Sequence, residues 1–359
     1  MKARAAEMFT AVVVFPTPPF WLAMVMITED KISQAKIKSK GHCAPKGWCR
    51  PADISIILLK SNYFDSFFGS VYNEEMNIRF SQPPSSLVKR RYSCRTFSRS
   101  DPDADAMAEL GRIASLPTRG LLEERVRFSL VEEPEMSGVR FADYGLIAGA
   151  RFFLLGAVSA SERCRESYAF LLEHLVLKAA DLGLESCWVG YFHQEFFKDF
   201  RLEDGERRPA VAVVGKAAER PRFRDRVIRS AVRAAARKPW KELFFAGSFS
   251  RPLQPQEAGD FSPALEMVRL APSSGNTQPW RVVRESDSTA FHFFMKRVRR
   301  AYAVRGQHEV DIGIAMCHFD LACREAGRKG CWVLSQPDIA LPSPDFEYRW
   351  TWRAAKGHL

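Results

Sequence analysis

The sequence predicts an α+β protein in which helices pack around mixed β-sheets and the chain is built from two related halves. Three observations carry that expectation. From Ser81 onward, helix-period stretches alternate with short apolar runs of strand length. Apolar residues make up 46% of the chain and charged residues 26%, the composition of a packed globular protein. A unit consisting of a helix, a glycine and Cys-Trp-Val occurs twice, at 168–190 and 310–334, which points to an internal duplication. With 359 residues, one large or two modest domains are expected.

Each element follows from local signals. Asp101 before Pro102 opens a helix reaching Leu116, with Met107, Leu110, Ile113 and Ala114 at helical spacing. Val126–Glu132 alternates as a strand, and Phe152–Val158 is a short apolar run suited to a buried one. Glu166–Leu182 is the strongest helix. Tyr168, Leu171, Leu172, Leu175, Val176 and Ala179 share one face, and Gly183 stops it. Cys187–Val189 and Val211–Val214 are expected as buried strands, with Gly205 in the turn between them. Residues 246–260 carry two prolines and two glycines and are expected to be a loop, the best internal boundary. Beyond it, Ala264–Leu270 reads as a helix and Trp280–Arg284 as a strand, echoing 103–115 and 126–131. The expected division is an extension at 1–80, a first half at 81–245 and a second half at 246–359.

The first 80 residues differ from the rest. Met8 to Ile27 is apolar, follows Lys2 and Arg4, and is about long enough to span a bilayer or to serve as a signal. Pro16, Pro18 and Pro19 argue against both, because they would break a helix and leave backbone groups without partners in lipid. No sustained period follows in 28–80. A third alternative is that this stretch is not native protein. Glu74-Glu75 implies purine-rich codons just before Met76, as expected ahead of a bacterial start, so translation is expected to begin near Met76. An intact mass that includes residues 1–75 would refute that.

The formal net charge of +11 calls for an anionic partner: a phosphate-bearing cofactor, a nucleic acid or a membrane surface. Most of the excess lies in Arg220–Lys241, with nine Lys/Arg against Asp225. Arg226, Arg229, Arg233 and Arg237 share a helical face, either a solvated face, a phosphate-facing stripe or a nucleic-acid patch. No aromatics interleave in it and no nucleic-acid module signature occurs. Eight cysteines without a CxxC pair fit reduced cytoplasmic thiols, and His42, Cys43 and Cys49 lack zinc spacing, so no metal site is expected. No GxSxG, GxGxxG or GxxxxGK occurs, which removes an α/β-hydrolase triad, a dinucleotide fold and a P-loop.

Three segments carry chemistry. Arg91-Tyr-Ser93-Cys-Arg95 sets two guanidiniums and a hydroxyl on one side of an extended chain, suited to a phosphate. Arg269-Leu-Ala-Pro272-Ser273-Ser274-Gly-Asn276-Thr-Gln-Pro-Trp280 is a rigid, small-residue turn that can lie close to a flat ligand. Gly183-Leu-Glu-Ser-Cys187-Trp188-Val189-Gly190 is a helix stop feeding a strand that ends in glycine, where backbone amides can approach a ring edge.

Together these resemble the FMN-dependent nitroreductase family, over roughly residues 84–335. The Ala-Pro-Ser-Ser-Gly-Asn-Thr-Gln-Pro-Trp turn is the most specific part. YGLIAGA at 144–150 and the helix bearing Glu173 are similar to the single-chain, internally duplicated branch. The resemblance implies a nitroreductase-like fold built as a fused pseudo-dimer, monomeric, cytoplasmic and not membrane-bound. In ordinary members FMN lies between two subunits. Here the R-x-S-x-R segment is in the first half and the serine-asparagine turn in the second, while Leu116-Pro117-Thr118 replaces that turn in the first. One composite site per chain is therefore implied.

Carried over, Arg91 and Arg95 hold the FMN phosphate, with Ser93 on the phosphate or ribityl chain. Cys187, Trp188, Val189 and Gly190 line one ring face through their backbone. Pro272, Ser273, Ser274 and Asn276 close the pocket, and Arg237-Lys238 is the candidate late basic pair. Glu185 and Ser186 depart from the family pattern, and Tyr191 replaces a second glycine, so Tyr191 is placed to narrow the substrate face. The implied activity moves hydride from NAD(P)H through FMN to a small acceptor such as a nitroaromatic or quinone. No catalytic acid or base is required, because the cofactor carries the chemistry. The bland alternatives stand beside this. Trp188 and Trp280 read as core, Cys187 as a packed thiol, and His174 and His318 as structural histidines. Other functions left open are a degenerate flavin-binding protein without turnover and a basic nucleic-acid-associated protein.

Overall fold

The structure is a computed structural model. It describes residues 78–133, 147–198, 200–220, 236–286 and 288–355, together with the backbone of three earlier strands. The chain forms two compact units, Met1–Asn73 and Glu74–Leu359. In the first, β1 (Met8–Val14) pairs antiparallel with β2 (Leu22–Thr28) and with β3 (Ser55–Lys60). The apolar stretch thus contributes both β1 and β2, paired with Met8 opposite Thr28. Among the described residues no helix is long and apolar enough to cross a membrane. His42, Cys43 and Cys49 lie outside the described residues.

The second unit opens with α1 (Pro84–Arg90) and α2 (Ala104–Ala114). The cap of α2 is Asp103, whose carboxylate accepts from Ala106 N–H at 2.8 Å. The expected cap, Asp101, lies two residues too early for that reach. A six-stranded sheet follows, in the order β4 (Thr118–Arg119), β5 (Arg125–Glu132), β6 (Phe152–Ser159), β9 (Val211–Gly215), β7 (Glu185–Val189). The sixth strand, β8 (Glu206–Arg207), pairs with β6, and all these pairings are antiparallel. Between β6 and β7 runs α3 (Cys164–Asp181). Phe153, Leu155, Cys187, Val189, Phe197, Val211 and Val213 form one core of this half.

The other half begins with α4 (Trp240–Leu243) and β10 (Phe244–Ala246). Residues 246–260 are ordered elements, not the expected loop. They hold β11 (Ser248–Pro252) and α5 (Pro255–Ala258), whose start is capped by Gln254 and Glu257. The prolines are tolerated because β11 is an edge strand and Pro255 opens a helix. After α6 (Ser262–Leu270) come β12 (Trp280–Arg284), β13 (Ala290–Lys296), α7 (Arg300–Val304), α8 (Gln307–Glu325), β14 (Gly330–Val333) and β15 (Phe346–Ala354). The sheet order is β11-β10-β12-β13-β15-β14, with β10 and β12 parallel and the rest antiparallel. Its core is aromatic: Phe291 and Trp352 both pack on Phe319, at ring separations of 5.0 and 5.3 Å.

The two halves meet through α3 and α8, which are buried along almost their whole lengths. Gly313 permits the approach, since a Cβ there would lie 2.3 Å from the Glu166 carbonyl oxygen. Arg349 on β15 also reaches across, its Nε donating to Glu166 Oε1 at 2.6 Å.

Candidate functional site

The R-x-S-x-R segment leaves α1 and runs beside β7. Arg91 N–H closes α1 on Leu87 O at 2.8 Å, and Cys94 N–H donates to Ser186 O at 2.9 Å. Ser93 bridges Ser186 in parallel sense, one residue before Cys187. Cys94 is buried, while Arg91, Ser93 and Arg95, the alternate residues, stay half-buried. Among the described residues, Nε and Nη1 of Arg91 and Nη1 of Arg95 are buried without a hydrogen-bond partner. Arg90 differs: its guanidinium donates to Ala180 O at the end of α3.

Arg237 stands with Arg91. Its Nη2 donates to Leu270 O at 3.1 Å. Burial, and then the positive charges of Arg91 and Arg269, hold it below the ordinary guanidinium range. Arg269 is offset by Glu266, its Nε donating at 2.7 Å. Half-buried guanidiniums brought together, with buried donors that have no partner among the described residues, suit an anion. A phosphate fits these residues.

The serine-asparagine turn is braced from within. Gly275, Asn276 and Gln278 are all left-handed, at φ of 56°, 54° and 47°. Pro272 leads into it from the end of α6. Ser273 Oγ accepts from Gln278 N–H at 2.9 Å, and the Asn276 amide donates to Ala236 O at 2.9 Å. Gln278 Oε1 accepts from Lys238 N–H at 2.8 Å. The turn thus holds the 236–238 backbone, and with it the Arg237-Lys238 pair. Lys238 Nζ itself stands 3.9 Å from Glu242.

One face of α8 supports three pieces of the site. Gln307, Asp311 and His318 are 4 and 7 residues apart, which at 3.6 residues per turn places them on one side. Gln307 Nε2 donates to Gly190 O at 3.2 Å. Asp311 Oδ1 accepts from Ser274 N–H at 2.9 Å, and burial pushes its carboxyl up to about 8. His318 Nε2 lies 2.8 Å from Glu173 Oε1, and the other oxygen of Glu173 accepts from Trp188 Nε1 at 2.6 Å. One helix, α8, therefore positions the glycine-ended strand of the first half, the turn of its own half and, through Glu173, Trp188.

The Glu173–His318 pair is fully buried. His318 Nδ1 faces Met267 O at 3.1 Å, and a carbonyl only accepts, so Nδ1 is protonated. His174 is structural, as expected. Burial lowers it to about 4, and its Nδ1 faces Phe170 O at 2.8 Å. Cys187 is a buried thiol packed in the first-half core. Trp280 is core as expected, whereas Trp188 is half-buried and hydrogen-bonded. Of the basic stripe, Arg226, Arg229 and Arg233 lie outside the described residues, as do the first three residues of YGLIAGA, 144–146.

Sequence reasoning passed over Gln278, Gln307 and Asp311. For Gln307 and Asp311 the available signal was their one-face spacing with His318 along α8.

A family model described as "Putative TM nitroreductase" matches residues 85–323. Among solved structures, a putative nitroreductase from Thermotoga maritima is 15% identical, covering 77% of this chain and 95% of its own, with a TM-score of 0.47. A nitroreductase with bound FMN from Bacteroides fragilis is 15% identical over 40% of this chain and 92% of its own, TM-score 0.32. Another with bound FMN, from Desulfitobacterium hafniense, is 17% identical over 39% and 92%, TM-score 0.31. No curated protein matches the chain. The matched span runs from α1 nearly to the end of α8 and takes in every segment assembled above; the chain belongs to the nitroreductase family that this model describes.

Proposed function

We propose that the chain is an FMN-dependent oxidoreductase that takes hydride from NAD(P)H and delivers electrons to a small acceptor such as a nitroaromatic or quinone. Its halves serve as the two subunits of a pseudo-dimer, within a cytoplasmic monomer that carries one composite site. The carrying observation is the set of buried donors on Arg91 and Arg95 without a partner among the described residues, with Arg91 close to the half-buried Arg237.

In this reading Arg91, Arg95 and Arg237 hold the phosphate by charge-assisted hydrogen bonds, with Ser93 beside them. Backbone groups from Cys187 to Gly190 line one ring face, braced by Gln307 on Gly190 and by Glu173 on Trp188. The turn at 272–276, held by Asp311, closes the site from the other half. FMN supplies hydride acceptance at N5 and electron release from the same face, so the protein's share is position and charge.

The test is the visible absorption spectrum of the purified full chain, with released flavin counted against protein, followed by anaerobic addition of NADH or NADPH. About one FMN per chain, bleached by a nicotinamide, is expected. No flavin after reconstitution refutes the proposal. Bound flavin that neither nicotinamide bleaches refutes the reductase and leaves the non-enzymatic flavin protein.

A further inference from the structure

Beside Gly190, a cavity of about 230 Å³ is lined by Arg165, Arg207, Arg208, Arg305 and Tyr191, with no acid among its lining residues. The arginines come from separate places: the first turn of α3, β8 and the residue after it, and the link between α7 and α8. The cavity is therefore shared by both halves. Arg208 is already engaged, donating to Gly156 O at 3.3 Å and Gln194 Oε1 at 3.4 Å. Arg165, Arg207 and Arg305 make no ion pair among the described residues.

Two of these cations are held in place without an anion. The Arg305 guanidinium lies over the Tyr191 ring, 4.0 Å from its centroid. Arg165 occupies room that only glycine leaves: Gly306 has φ of +68°, and a Cβ there would lie 2.2 Å from Arg165 Nε. Preset cations that have no ion-pair partner among the described residues and face a cavity favour an anion arriving from solution. The volume is below the roughly 300–1,000 Å³ of pockets that take whole drug-sized ligands. It suits a single acid group with one ring, and it is too small for a dinucleotide.

We propose that this four-arginine cavity receives the acid group of a small anionic electron acceptor, such as an aromatic carboxylate, and orients that acceptor toward Gly190. The assignment rests on the flavin reading above and names the acceptor class for that site. The position of Tyr191, between Gly190 and Arg305, makes it the wall between the ring face and the acid subsite.

The test compares 4-nitrobenzoate with its neutral methyl ester in the full-length holoprotein and in an Arg165→Gln/Arg305→Gln variant. Flavin content and thermal midpoint of the variant are checked first. The KM for 4-nitrobenzoate is expected to rise about tenfold or more, as loss of charge-assisted contacts predicts, while the ester is unaffected. Equal effects on acid and ester, or none on either, would overturn the proposal. So would a variant that loses NADPH but keeps both NADH and nitrobenzoate, because the bound anion would then be a nucleotide phosphate. If the chain holds no flavin, calorimetric titration of 4-nitrobenzoate still decides: binding abolished by the double substitution supports the anion cavity, and no binding to the native chain removes it.

Discussion

Replacing Arg91 with methionine separates a ligand-binding guanidinium from a structural one. Arg91 Nε and Nη1 have no partner among the described residues, so the substitution breaks no protein hydrogen bond at those atoms. It also removes one of the two charges that depress Arg237. The flavin-free protein should keep its thermal midpoint or gain about 2 °C, the shift expected from relief of under 1 kcal/mol in a chain of this size. FMN binding should suffer. Loss of two charge-assisted bonds to a phosphate, discounted for the half-exposed side chain, costs about 2–3 kcal/mol, or roughly thirty- to hundred-and-fifty-fold in Kd. Arg90→Met is the matched control. Arg90 donates to Ala180 O at the end of α3, so its loss should lower stability by about 1 kcal/mol and leave FMN affinity alone. Flavin fluorescence quenching gives the Kd, and melting of the flavin-stripped proteins gives the midpoint. Reasoning from orphaned donors fails if Arg91→Met destabilises the stripped protein as much as Arg90→Met and binds FMN with unchanged affinity.

Other outcomes follow from the buried polar groups. Glu173→Ala leaves His318 Nε2 and Trp188 Nε1 without an acceptor and should cost about 3–5 kcal/mol in urea unfolding; Glu173→Gln keeps an oxygen for one of them and should cost less. Asp311 is held at about 8 against an ordinary 3.8. Below pH 4 it is protonated folded and unfolded, and its contribution is complete; from pH 4 to 8 only the folded state keeps the proton, so stability falls as pH rises. Asp311→Asn should flatten that part of a denaturation-versus-pH curve, and an unchanged slope would mean that other groups set it. Gly306→Ala combines a left-handed backbone with a clash against Arg165, and should cost about 1–3 kcal/mol while weakening 4-nitrobenzoate more than its ester.

Much of the fold was legible because its signals are local. The strands at 125–132, 152–159 and 280–284 and the helices at 164–181 and 262–270 follow the apolar period, and the paired helix–glycine–Cys-Trp-Val units mark equivalent places in the two halves. Misjudgements came where a local rule has two outcomes. Proline and glycine at 246–260 signal a loop or an edge strand, and only the neighbouring β10 distinguishes them. Asp101 and Asp103 are both capping residues by type, and the reach to Ala106 N–H selects the second.

By itself the sequence determined the α+β class, the positions of most elements and the three segments that carry the candidate site, since residue type and spacing encode backbone preference and burial directly. Tertiary structure alone decided what those segments touch. It set Arg91 against Arg237 across 146 residues, brought α8 under Gly190, Ser274 and Trp188 at once, and gathered arginines from three elements around one cavity. The reason is physical: hydrogen bonds and charges act over a few ångströms of space, and chain order does not record which distant residues fall within that range.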